Sequence, residues 1–122
     1  MGRAEEFRGF RERMNERILE EGTVVTKRFL ALDHQCYEAG ALDAKTKELL
    51  GLSASLALRC DDCISYHLLR SLEVGASRPE LMETFDIGLV AGGSITIPNI
   101  RRAHALLDEA RPPEDGGHRS SG

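Results

Sequence analysis

The sequence is poor in several residue types, and each scarcity excludes a class of protein. Aromatic residues make up only 5% of the 122 residues and tryptophan is absent, so aliphatic side chains must build the core. No apolar run reaches the roughly 18 residues that a membrane-spanning helix needs, and the N-terminus lacks a signal-peptide pattern. Three cysteines are an odd count that does not suit a secreted disulfide framework. We therefore expect a cytoplasmic protein without a membrane segment.

Positive charge is not concentrated in any part of the chain. Lys and Arg are interleaved with Asp and Glu, and the net charge is −4. A nucleic-acid-binding protein usually carries a basic patch, so we expect neither nucleic acid nor an anionic membrane as a partner. The length suits one domain. We assign residues 1–110 to a single folded domain and residues 111–122, rich in Pro, Gly and Ser, to a mobile polar tail.

The strong periodicities in the sequence are helical. Apolar residues recur at spacings of three and four, as in Phe7, Phe10, Met14 and Ile18. Asp43 and Ser77 have the residue types that cap helix N-termini, and Glu80 completes a capping box with Ser77. We also expect Gly40 to end the second helix in a left-handed conformation. The sequence predicts an all-α, single-domain bundle of about six helices, with the segment from Leu49 to Leu58 most buried.

The segment Cys60-Asp61-Asp62-Cys63 carries the residues best suited to chemistry. Two thiols three residues apart at the start of a helix can close a disulfide and reopen it. The positive end of the helix dipole stabilises a thiolate, whereas the negative charges of Asp61 and Asp62 oppose it. We expect Cys60, nearer the helix start, to be the more exposed of the pair. Cys36 is expected to be a buried, inert thiol.

His67 and Glu48 extend this pair into a site. His67 lies four residues after Cys63, on the same helical face, and an imidazole titrates near neutral pH, so it can accept a thiol proton. Glu48 belongs to the preceding helix and can orient His67 if the two helices pack together. Three other interpretations remain open on these residues: a structural zinc site, a core histidine, and a solvated glutamate. Zinc normally needs four ligands, usually as two separated pairs, and only one pair is present.

The four residues together resemble a known signature. The pattern Glu48-x11-Cys60-x2-Cys63-x3-His67 is similar to that of the alkylhydroperoxidase D-like (AhpD-like) proteins of the carboxymuconolactone decarboxylase superfamily. The resemblance covers roughly residues 20 to 110. It includes the small-residue turn Ala91-Gly92-Gly93-Ser94 before a final helix.

The resemblance implies a helical subunit that assembles into trimers or hexamers and needs no metal or organic cofactor. It implies disulfide reduction coupled to peroxide removal, with the cysteine pair acting on hydroperoxides or passing electrons to a peroxiredoxin. Glu48 and His67 would then form a proton relay. Asp62 is a departure, because some relatives have a histidine there that assists the relay.

Three functions follow as hypotheses. The first is a thiol-dependent peroxidase or disulfide reductase that uses Cys60, Cys63, His67 and Glu48, with a hydroperoxide or protein disulfide as substrate and a peroxiredoxin or dithiol as electron partner. The second is a cofactor-free decarboxylase of the carboxymuconolactone type, which would use His67 with Arg101 or His104. The third is a non-enzymatic oligomer whose dithiol senses redox state. Because several helices carry apolar stripes that one short chain cannot cover, we also predict a homo-oligomer.

Overall fold

The computed structural model describes residues 2–111 and folds them into six α-helices with one short 3-10 turn at Ser94–Thr96. The helices are α1 (Arg3–Glu21), α2 (Val24–Cys36), α3 (Ala44–Leu58), α4 (Asp61–Glu73), α5 (Arg78–Gly92) and α6 (Ile97–Ala110). Residues 2–111 contain no strand, so the predicted all-α bundle is confirmed. The predicted tail lies outside the described residues except for Arg111. Along the described chain, no helix has an apolar stretch long enough to cross a bilayer.

The core lies between α3 and the helices that pack on it, α4 and α5, with α6 packed against α4. Its fully buried side chains are Leu52, Leu56, Ile64, Leu68, Leu81 and Leu107. Helix α3 is central, as predicted, but it is not buried on all sides. Leu50 and Leu58 remain 54% and 77% exposed, because none of the other helices in residues 2–111 covers them.

Local capping signals fix several helix ends where the sequence predicts them. The Asp43 carboxylate accepts a hydrogen bond from the Thr46 backbone N–H at 2.8 Å. Ser77 and Glu80 form a reciprocal capping box at the start of α5. These caps satisfy backbone donors that a helix N-terminus otherwise leaves without partners.

The end of α2 differs from the prediction. The helix stops at Cys36, and Gly40 does not adopt a left-handed conformation. Lys47 of α3 donates hydrogen bonds to the carbonyl oxygens of Cys36 and Glu38, at 2.9 and 2.8 Å. A side chain distant in sequence thus supplies the partner for the last helical carbonyl, and no glycine is needed there.

Helix α2 contains no buried residue. Val25, Phe29 and Leu32 are 71%, 64% and 62% exposed, and Phe10 of α1 is 58% exposed. The prediction that Cys36 is buried is wrong, because this helix lies outside the core and its last residue is exposed. The first two helices therefore present an apolar surface that the rest of residues 2–111 leaves uncovered.

Candidate active site

The site begins at the junction between α3 and α4, where Arg59 reverses the chain. Arg59 has φ 60° and ψ 38°, in the left-handed region that favours glycine. Its N–H donates to the Leu56 carbonyl at 3.0 Å, and the Cys60 N–H donates to the Ser55 carbonyl at 3.1 Å. This pair of bonds is a Schellman motif. It ends α3 and places Cys60 directly at the N-cap of α4.

Cys60 and Cys63 lie together at the positive end of α4. They form a disulfide with their Cα atoms 5.3 Å apart, and Cys60 Sγ accepts a hydrogen bond from the Cys63 N–H at 3.3 Å. The expectation that Cys60 is the more exposed residue is wrong: Cys60 is half-buried and Cys63 is exposed. The N-cap position holds Cys60 against the α3–α4 junction, whereas Cys63 lies on the outer side of the first turn.

Packing of α3 against α4 brings Glu48 and His67 into contact. Their Oε1 and Nδ1 atoms are 2.8 Å apart, and the residues are only 1% and 9% exposed. A neutral His67 donates its Nδ1 hydrogen to the carboxylate, which leaves Nε2 as a proton acceptor. The structure thus places the two residues in the arrangement that an oriented general base requires.

Arg70 also contacts Glu48 and was not singled out in the sequence. Its Nε lies 3.7 Å from Glu48 Oε2, on the carboxylate oxygen that His67 leaves open. The spacing of three residues from His67 along α4 was a usable signal, since it puts both side chains on one helical face. The buried carboxylate therefore has a partner for each oxygen.

Gly51 and Tyr37 complete the surroundings of His67. The Tyr37 and His67 ring centroids are 4.9 Å apart, and Tyr66 packs edge-on against His67 at 5.2 Å. A Cβ at Gly51 would lie 2.8 Å from both His67 Cε1 and the Tyr37 hydroxyl oxygen. Only a residue without a side chain lets these two groups meet over α3. Burial, followed by the charge of Asp33 and then that of Glu48, raises the pKa of Tyr37, so its hydroxyl stays protonated near neutral pH.

Asp61, the residue after Cys60, is held by α6. Its Oδ1 accepts a hydrogen bond from Asn99 at 2.8 Å and its Oδ2 from Arg102 at 2.9 Å. The ion pair offsets part of the negative charge that Asp61 brings to the dithiol. A cavity of about 250 Å³ adjoins this pair between α1, α4 and α6. Besides Asp61 and Arg102, the cavity is lined by Arg3, Phe7, Ile64, Ser65, Asn99, Ala103 and Leu106.

Within residues 2–111, neither of the two residues considered for a decarboxylase makes a hydrogen bond, an ion pair or an aromatic contact with His67. The His104 ring packs edge-on against Phe85, with centroids 5.3 Å apart, while the ring neighbours of His67 are Tyr37 and Tyr66. Arg101 is exposed on α6. Among residues 2–111, no three His, Cys, Asp or Glu side chains are arranged to hold a metal ion.

Comparisons with known proteins agree with this architecture. A crystal structure from Thermotoga maritima superimposes with a TM-score of 0.84 at 54% identity, covering 87% of this chain and 90% of that one. It is described as a carboxymuconolactone decarboxylase family protein, with a suggested role in the antioxidative response. A second family member, from Legionella pneumophila, superimposes with a TM-score of 0.72 at 28% identity, covering 88% of this chain and 92% of its own.

A sequence relative and a family profile complete the comparison. Uncharacterized protein 4 in the cox locus of Paracoccus denitrificans is 28% identical over 88 residues, which is 72% of this chain and 79% of that protein. The profile of the carboxymuconolactone decarboxylase family matches residues 24–107. Since that match spans all four signature residues and more than half of the sequence, the chain belongs to the carboxymuconolactone decarboxylase family, the superfamily of the AhpD-like proteins.

Proposed function

We propose that the protein is a cytoplasmic thiol-dependent peroxidase and disulfide reductase. The observation that carries the proposal is the position of the Cys60–Cys63 pair at the N-terminus of α4, the helix that also holds His67 hydrogen-bonded to the buried Glu48. A dithiol at a helix N-terminus is suited to redox exchange, and an oriented imidazole is suited to proton transfer. The antioxidative role suggested for the Thermotoga relative agrees with this chemistry.

In the reduced protein, Cys63 is the first nucleophile because it is the more exposed cysteine. His67 takes the thiol proton, and the thiolate attacks the terminal oxygen of a hydroperoxide. A sulfur–oxygen bond forms while the oxygen–oxygen bond breaks, which gives a sulfenic acid and an alkoxide. The protonated His67 returns its proton to the alkoxide, and the alcohol leaves.

Cys60 then resolves the sulfenic acid. Its sulfur attacks Cys63 Sγ, the sulfur–oxygen bond breaks, and hydroxide leaves with the Cys60 proton as water. The product is the Cys60–Cys63 disulfide seen in the structure. An external dithiol, from a small molecule or a protein partner such as a peroxiredoxin, reduces it by exchange through a mixed disulfide.

Peroxide turnover tests the proposal directly. The purified protein is given cumene hydroperoxide and dithiothreitol, and peroxide loss is followed with time. Cys60→Ser and Cys63→Ser should each abolish turnover, whereas Cys36→Ser is the matched control and should retain it, because Cys36 lies on α2. Full activity in both single variants of the pair would refute the mechanism.

The same preparations separate the two other hypotheses. A decarboxylase would release carbon dioxide from 4-carboxymuconolactone even when both Cys60 and Cys63 are serine. A redox sensor would show no peroxide turnover but would change its assembly size when the disulfide forms. Either result, if thiol-dependent peroxide turnover is absent, would favour the corresponding hypothesis over the peroxidase proposal.

We further propose that the active form is a homo-oligomer, a hexamer by family resemblance. The support is the uncovered apolar surface of α1 and α2, including Phe10, Val25 and Phe29. Burying a side chain of this kind contributes roughly 1.5–3 kcal/mol, so pairing these surfaces between copies is strongly favoured. Light scattering should give a mass several times the 13.5 kDa of one chain. A stable monomer at micromolar concentration would contradict the proposal.

A further inference from the structure

Arg70 is the second charged partner of the Glu48 carboxylate. Glu48 Oε1 faces His67 Nδ1 at 2.8 Å, and Glu48 Oε2 faces Arg70 Nε at 3.7 Å. On its other side, Arg70 Nη1 bonds Glu73 Oε1 at 2.6 Å. The guanidinium is thus held between an exposed glutamate and a buried one. The hydrogen bond that Arg70 donates to Glu73 and the negative charge of Glu48 raise the pKa of Arg70, which remains a permanent cation.

Burial makes the second partner of Glu48 important. The residue is 1% exposed, and a carboxylate removed from water must be compensated by a cation or by hydrogen bonds. Within residues 2–111, Arg70 and His67 are the two basic side chains within salt-bridge distance of Glu48. If the guanidinium of Arg70 balances the negative charge of Glu48, His67 does not have to be protonated to balance it.

We infer that Arg70 is a positioning residue that balances Glu48 and so keeps His67 neutral before thiol deprotonation. A neutral His67 with its Nδ1 hydrogen on Glu48 has Nε2 available as a base, whereas an imidazolium has no acceptor. The consequence for catalysis rests on the proposed function, since it assumes that His67 takes the thiol proton. The effect on the charge of His67 itself does not depend on any substrate.

The other groups around the Glu48–His67 pair do not supply the same compensation. They are Tyr37 at the end of α2, Tyr66 on α4, Asp33 near Tyr37, and the cysteine pair at the start of α4. Arg11 of α1 lies 3.8 Å above the Tyr66 ring, which itself packs edge-on against His67. Of these groups, only Arg11 is a cation, and it is paired with a ring instead of with Glu48.

Replacing Arg70 with methionine tests the inference, because the change removes the charge and keeps much of the side-chain length. The His67 ring signal is followed by NMR against pH in protein carrying 13C-labelled histidine, and is assigned by its loss in His67→Gln. Without Arg70, the carboxylate of Glu48 favours the imidazolium, so the titration midpoint of His67 should move up by about one pH unit. In the pH profile of peroxide turnover, the midpoint of the acid limb should also move to higher pH.

Three comparisons separate charge balance from a structural effect. Arg70→Lys keeps the charge and should restore the wild-type midpoint. Arg28→Met removes an arginine that is exposed on α2 and should leave the midpoint unchanged. In a Glu48→Gln background, Arg70→Met should no longer move the midpoint, since the carboxylate that couples the two residues is absent.

The outcomes are distinct from those of the proposed function. A midpoint that stays within about 0.2 pH unit in folded Arg70→Met, a tolerance well below the one-unit shift expected from a lost charge, overturns the inference. An equal shift of the His67 titration midpoint in Arg28→Met would also overturn the inference. Should the methionine variant fail to fold, Arg70→Gln is titrated in its place. A shifted midpoint in a protein without peroxide turnover supports Arg70 and refutes only the peroxidase proposal.

Discussion

Gly51→Ala is the change that most directly probes how the site is packed. The new Cβ would lie 2.8 Å from His67 Cε1 and from the Tyr37 hydroxyl oxygen, where ordinary contacts begin at 3.4 Å. The rings must therefore move by about 0.6 Å, and overpacking of this kind costs roughly 1–3 kcal/mol. Alanine is also favoured over glycine within a helix by about 1 kcal/mol, which partly offsets the destabilisation caused by overpacking.

Gly9→Ala in α1 is the matched control. Its Cβ would meet only Arg13 Nη1, at 3.5 Å, so it should show the helix-propensity gain without a clash. Urea denaturation at one fixed protein concentration should place the free energy of unfolding of Gly51→Ala about 1–3 kcal/mol below that of Gly9→Ala. Peroxide turnover should fall about 10-fold or more in Gly51→Ala, because displacement of His67 misplaces the base. Equal stability and unchanged turnover in the two variants would refute the convergence of Tyr37 and His67 over α3.

Three further predictions address the electrostatics and the caps. Arg102→Gln should slow iodoacetamide alkylation of the reduced Cys60–Cys63 dithiol near pH 7, because the negative charge of Asp61 is then no longer offset. Adding Asp61→Asn to the Arg102→Gln variant should restore the alkylation rate. An unchanged rate in both variants would contradict the effect of Asp61 and Arg102 on the dithiol. Ser77→Ala should lower the free energy of unfolding by about 1 kcal/mol in urea denaturation, and Ser77→Gly by less; an equal loss in both would argue against a capping effect. The hydrogen bonds from Thr46 lower the pKa of Asp43 below its ordinary 3.8, so its stabilising contribution is present above that pH and is lost as the pH falls further. Asp43→Asn should flatten the acid-unfolding curve in this range when followed by circular dichroism, and an unchanged curve would contradict the assignment.

The sequence by itself determined the helical class, several helix ends and the residues of the signature. These features depend on neighbours within about one helical turn: apolar spacings of three and four, and caps such as Asp43 and Ser77. The spacing of Glu48, Cys60, Cys63 and His67 also indicated the family, because the number of residues between them can be read from the sequence without knowing how the helices pack. The roles of these four residues stay predictions until turnover is measured.

The tertiary structure decided which of those side chains are buried and which other groups they meet. Exposure depends on what the rest of the chain covers, so Cys36 is exposed although the local pattern indicated burial, and Cys63 is more exposed than Cys60 although the order along the helix indicated the reverse. The end of α2 was set by Lys47, eleven residues after Cys36. The contacts of Gly51 with Tyr37 and of Arg70 with Glu48 arise only when α2, α3 and α4 come together, because no local spacing specifies how separate helices pack.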